Sequence, residues 1–158
     1  MIVLTAAELR AAFSYNPKTG VFVRLSTGRN AGHAKDNGYL HFDVNGRKYG
    51  AHRLAWLYVT GEWPVGDVDH IDGVRDNNRF SNLRDVSRTV NLQNLRAAKS
   101  HNKSTGLLGA YFHKQTGRYT SRIRVNGKDR HLGMFSTAQE AHAAYLAAKR
   151  SDHPGSML

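Results

Sequence analysis

The chain has 158 residues, 40 % of them hydrophobic, with 15 Gly and 3 Pro. That composition fits one ordinary folded domain or two very small ones, and it excludes a disordered chain. There is no cysteine, which excludes disulfides and Cys-ligated zinc and fits a reducing compartment.

The N-terminus MIVLTAAELRAAF is broken by Glu8 and Arg10, so it lacks a signal peptide's run, and no stretch approaches a membrane span. The expectation is a cytoplasmic protein with no membrane partner. The formal charge is +11, unevenly placed. Residues 1–66 carry 8 Lys/Arg against 4 Asp/Glu, residues 67–97 carry 5 against 5, and residues 98–158 carry 10 against 3. Two basic flanks around a neutral centre suit a polyanion, most simply nucleic acid.

In chain order, Thr5 and Glu8 have capping-box spacing ahead of the apolar-periodic run Ala6 to Phe13, which predicts a short helix. NPKTG (16–20) is a turn signal and VFVRL (21–25) a strand. YLHFDVNGRKYG (39–50) alternates around Asn45-Gly46, the mark of a tight hairpin. HRLAWLYVTG (52–61) reads as a short helix capped by Gly61. His52 and Arg53 stand at its start, where they either cap it or contact phosphate.

VGDVDHI (65–71) is a strand ending in Asp69-His70, and LRDV (83–86) can return as its partner. DGVRDNNRFSN (72–82) between them is too rich in Asp, Asn and Gly for regular structure. Asp72 and Asn77 would brace this loop through local hydrogen bonds. Ser87 can cap a helix over 88–98 that carries Asn91. Strand, loop, strand and helix could then gather Asp69, His70, Asn82 and Asn91.

Carboxylate and amide oxygens suit a hard divalent ion, and a neutral imidazole beside one can take a proton from water. Those are the parts of a phosphodiester hydrolase. Asp69-His70, Asn82 and Asn91, with HRLAW, DNNRFSNLR and NLQN around them, resemble the His-Asn-Asn form of the HNH endonucleases of phages and mobile elements. The resemblance implies a ββα-metal fold in which His70 is the general base and Asn82 orients it. Asp69 and Asn91 would ligate one Mg²⁺ or Mn²⁺ per active centre, and products would carry 5′-phosphate and 3′-hydroxyl ends. Asn78 and Arg79 match family loop positions, which would order the loop first and contact phosphate second, and Arg53 is a further DNA-contact candidate.

AKSHNKSTG (98–106) reads as a basic linker, in which Lys99 and Lys103 can track a phosphate backbone. GAYFH (109–113), RYTSRIRV (118–125) and KDRHLGMF (128–135) read as three strands, with a second tight turn at Asn126-Gly127. A helix opening at Ser136 presents Ala138, Ala141, Tyr145 and Ala148 on one face. Tyr119, Ser121, Ile123 and Val125 share one face of the middle strand, leaving Arg118, Arg122 and Arg124 on the other. LGAYFHKQTGRYTSRIRV, HLGMF and AQEAHAAY resemble the AP2 DNA-binding domain, which implies that the sheet reads DNA. Tyr119 and His131 stand where that family often has Trp, with His131 a DNA-contact candidate, and Asp129 stands where a basic contact is common.

The expected architecture is α+β. A β-hairpin and helix region over 1–50 contacts DNA, a ββα nuclease core spans 51–98, a linker spans 99–106, and a three-stranded antiparallel sheet on one helix fills 107–158. The expected activity is metal-dependent nicking of double-stranded DNA. Double-strand cleavage would need a second protomer or sequential nicking, so monomer and homodimer both stay open. A DNA-binding regulator with a degenerate nuclease centre and an RNA-binding accessory protein are the competing readings.

Overall fold

A capping box starts the first helix. The computed structural model describes residues 3–95, 97, 98, 102, 104–153, 155 and 156. In α1 (Ala6–Ala12) the Thr5 hydroxyl accepts from Glu8 N at 3.2 Å, and the Glu8 carboxylate accepts from Thr5 N at 2.8 Å. Phe13 does not extend this helix. It turns to extended backbone and opens β1 (Phe13–Asn16), a strand not expected from the sequence. β1 pairs with β2 (Val21–Arg24), and β3 (Arg29–Ala31) completes an antiparallel sheet.

β4 (His33–Ala34), β5 (Leu40–Val44) and β6 (Arg47–Gly50) form a second such sheet. Asn45 and Gly46 make its turn with φ of 50° and 74°, as the Asn-Gly pair predicts. α2 (Ala51–Thr60) follows and ends at Gly61 in the left-handed region. β7 (Asp67–His70) and β8 (Leu83–Val86) form a two-stranded antiparallel ladder. The intervening loop was expected to hold no regular structure, yet its end tightens into a 3₁₀ turn over Phe80–Asn82.

The chain divides into two compact units, Met1–Arg88 and Thr89–Leu158. In the first, one apolar core joins Leu9, Phe13, Phe22, Phe42, Leu54, Leu57, Val68 and Leu83. This core takes residues from region 1–50, from α2 and from the β7–β8 ladder. α3 (Arg88–Gln93) is shorter than the expected 88–98.

In the second unit, β9 (Ala110–His113), β10 (Arg118–Val125) and β11 (Lys128–Phe135) form an antiparallel sheet with β10 central. Asn126 and Gly127 repeat the turn of residues 45 and 46, with φ of 50° and 79°. α4 (Ala138–Asp152) packs on this sheet. Its cap is Thr137 rather than Ser136, because only Thr137 has Glu140 at capping-box distance. Ala110, Ser121, Ile123 and Ala141 are buried, while Arg118, Arg122 and Arg124 are exposed, so the alternation along β10 is the expected one. Gly109 is required where α4 crosses: a Cβ there would stand 2.0 Å from the Tyr145 ring. The fold is thus α+β, with four α-helices and several small antiparallel sheets among the described residues. None of the described helices is long and apolar enough to cross a membrane.

Candidate active site

Asp69 and His70 are the last two residues of β7, and both are buried. The ladder places Asp69 opposite Arg84 and His70 opposite Leu83. Arg84 grips Oδ2 of Asp69 with Nε at 3.0 Å and Nη2 at 2.7 Å, a two-pronged ion pair on a single oxygen.

The His70 ring reaches the loop. Its Nε2–H donates to Oδ1 of Asn78 at 3.1 Å. The orientation of that amide follows from its other end, where Nδ2 donates to the Asp76 carbonyl at 3.2 Å. An amide oxygen can only accept, so the neutral ring carries its proton on Nε2 and its lone pair on Nδ1. Burial lowers the His70 pKa below its ordinary value, although the Asn78 bond and the Asp72, Asp69 and Asp76 carboxylates pull the other way. The ring is therefore neutral at pH 7, as a base must be.

Asn82 was expected to orient His70, but its amide holds the loop instead. Its Oδ1 accepts from Asp72 N at 3.0 Å, and its Nδ2 donates to Asp72 Oδ1 at 2.9 Å and to the Asn77 carbonyl at 2.8 Å. The contact on Nε2 belongs to Asn78. Asp72 and Asn77 brace the loop as expected: Asn77 Nδ2 donates to Asp72 Oδ2 at 2.6 Å, and Val74 N donates to Oδ1 at 2.8 Å. Burial pushes the Asp72 carboxyl up, but these bonds outweigh it and hold the group below its usual value.

His52 is neither a surface cap nor exposed to phosphate. It is half-buried on the first turn of α2, with its ring centroid 5.4 Å from that of His70 and 5.1 Å from that of Tyr39. Burial, then the proximity of His70, Arg53 and His41, lowers its pKa to about 3. The Arg53 guanidinium donates to the Gly66 carbonyl at 3.2 Å and lies over the Trp63 ring, so it is tied into the fold. Arg79 is exposed, with Nε on the Lys18 carbonyl at 2.9 Å.

Residues 49–99 match the HNH endonuclease family. The activity this match supports is that of an HNH-type nuclease, with DNA as the implied substrate. The HNH segment holds Asp69, His70, Asn78, Asn82 and Arg84 in the first unit and Asn91 on α3 in the second. No curated protein and no solved structure matches the chain. Among the described residues no group of three or more His, Cys, Asp or Glu is placed to hold a metal ion, so acidic and imidazole donors alone make no site there.

In the second unit, Arg122 lies over the Tyr111 ring at 4.9 Å, and Arg124 is 4.0 Å from Asp129. Arg118 donates to the Met134 carbonyl at 3.3 Å, and His131 Nε2 pairs with the Thr120 hydroxyl at 3.0 Å. Tyr111, Arg122, Arg124, Asn126 and Asp129 line part of a cleft of about 510 Å³. Lys99 and Lys103 lie outside the described residues. Sequence reasoning missed Asn78 as the partner of His70, and also Arg84. The register Asp69↔Arg84 is the signal that could have found Arg84.

Proposed function

We propose that the chain is a metal-dependent endonuclease that hydrolyses phosphodiester bonds in duplex DNA, one strand per active centre. The observation that carries this reading is a buried, neutral His70 with its lone pair on Nδ1, next to an Asp69 carboxylate held by Arg84, inside the HNH segment. His70 acts as general base and takes a proton from the attacking water. The water oxygen bonds to phosphorus as the P–O3′ bond breaks, and the departing O3′ takes a proton from solvent water, giving 5′-phosphate and 3′-hydroxyl ends. Arg84 holds the Asp69 carboxylate in place through this step.

Asp69 offers a carboxylate oxygen, the donor chemistry of a hard cation, and would be a ligand of one Mg²⁺ or Mn²⁺. When bound, such an ion stabilises negative charge on the phosphate and the departing oxygen. Site preference is assigned to the AP2-like unit, whose exposed arginine face (Arg118, Arg122, Arg124, with His131) would meet the DNA.

The test is nicking of supercoiled plasmid with and without Mg²⁺. His70→Ala is expected to lower the rate by about 10² to 10⁴ and to leave duplex binding intact in gel shifts. Duplex binding without any metal-dependent nicking by the natural chain would instead identify a DNA-binding regulator.

A further inference from the structure

The ring of His70 is held by contacts that begin outside the HNH segment. Asn78 is 1 % exposed, and while its side chain takes Nε2–H of His70, its backbone carbonyl accepts the Tyr15 hydroxyl at 2.6 Å. Tyr15 lies on β1, 63 residues upstream. Its own ring is fixed by stacking on Phe22 at 4.5 Å and by an edge contact with Tyr58 at 5.6 Å. Burial raises its pKa to about 12, so the hydroxyl remains a donor at any working pH.

The β1–β2 turn closes on the same loop. The Pro17 carbonyl accepts from Phe80 N at 3.0 Å, and the Lys18 carbonyl accepts from Arg79 Nε at 2.9 Å. Gly20, at φ +77°, comes so near that a Cβ would stand 2.5 Å from the Asn78 carbonyl carbon. Backbone, hydroxyl and close packing from one hairpin thus converge on residues 78–80. They meet at Asn78, the residue whose amide oxygen accepts from the imidazole.

We infer that Tyr15 and Asn78 are positioning residues for His70: the β1–β2 hairpin fixes Asn78 so that its amide oxygen holds Nε2–H and aims the Nδ1 lone pair. The inference rests on His70 as the general base for its catalytic consequence, but the geometry can be read without activity. Full-length protein labelled with ¹⁵N-histidine serves, with two-bond ¹H–¹⁵N correlations recorded at pH 8 and His70 assigned by its loss in His70→Gln.

The natural chain is expected to show a downfield, exchange-protected Nε2–H on His70. Asn78→Leu removes the acceptor at similar size, and Tyr15→Phe keeps the ring stack. Both are expected to weaken or abolish that signal. Plasmid nicking should lose about tenfold in kcat in Tyr15→Phe and about a hundredfold in Asn78→Leu, with KM unchanged. A wild-type ring protonated on Nδ1, or an unaltered resonance and kcat in both variants, overturns the inference. The expected resonances without any nicking by the natural chain would remove the nuclease reading and leave the positioning of His70 standing.

Discussion

Arg84 decides how much negative charge the Asp69 carboxylate presents. The carboxylate is 8 % exposed, and both guanidinium contacts fall on Oδ2. A planar fork fixes a carboxylate in a way the single ammonium of lysine cannot. Arg84→Met keeps the apolar stem and removes the charge, leaving a buried carboxylate without its two-pronged partner. Folding stability is expected to fall by about 2 kcal/mol, less than for a fully buried pair because Arg84 is partly exposed. If Asp69 is a metal ligand, Mg²⁺ or Mn²⁺ should restore more stability to Arg84→Met than it adds to the natural chain, since a cation then replaces the lost guanidinium. Denaturant midpoints with and without the ion measure this. Equal increments in the two proteins would count against Asp69 as a ligand.

The first turn of α2 carries a pH dependence of stability. His52 is faced by His70 from β7, by Tyr39, and by His41 from β5, with Arg53 beside it. It titrates at about 3 in the fold against an ordinary 6.5. Above pH 6.5 both the folded and unfolded chains hold it neutral. Below that the unfolded chain binds a proton that the folded chain refuses, so stability falls as the pH drops. Each such histidine contributes a slope approaching about 1.4 kcal/mol per pH unit between pH 6 and 5. His70, also lowered by burial, adds to it with the same sign. His52→Phe keeps an aromatic ring against Tyr39 and is expected to remove roughly one proton's worth of that slope. Unfolding midpoints at pH 7, 6 and 5 check it, above the range where Asp72 and Glu8 respond.

The same element shows what could be read beforehand. α2, its Gly61 stop and both Asn-Gly hairpins are written in four to ten consecutive residues, and all appear where the residues place them. β1 was not legible, because FSYN becomes a strand only once β2 folds back on it through the turn at 16–20. Asp69 and His70 could be named from their motif. Nothing in the spacing, however, says which of Asn77, Asn78 and Asn82 reaches the imidazole. That choice is made by a hydroxyl 63 residues away and by a glycine turn packed on the loop.

The two units divide the charge unequally. Residues 1–88 carry 12 Lys/Arg against 9 Asp/Glu, while residues 89–158 carry 11 against 3. Most of the excess positive charge therefore belongs to the unit with the arginine face, and the buried Asp69–His70 pair lies in the nearly balanced one. Arg124 and Asp129 are 70 % and 55 % exposed at 4.0 Å, a contact weak enough for a DNA phosphate to displace. The Arg122 guanidinium already lies over the Tyr111 ring, 4.9 Å from its centroid, which leaves little further ordering to be done on binding. If these two side chains each neutralise a phosphate, the double variant Arg122→Ala/Arg124→Ala should bind duplex DNA more weakly. The slope of log affinity against log salt should shrink by about 2, close to 0.9 for each lost contact. Because both residues belong to the other unit's sheet and not to the β7–β8 ladder, kcat at saturating DNA should stay near that of the natural chain while KM rises. Fluorescence anisotropy over a salt series, paired with nicking at high DNA concentration, reads both quantities. An unchanged salt slope would move the DNA contact off this face of the sheet.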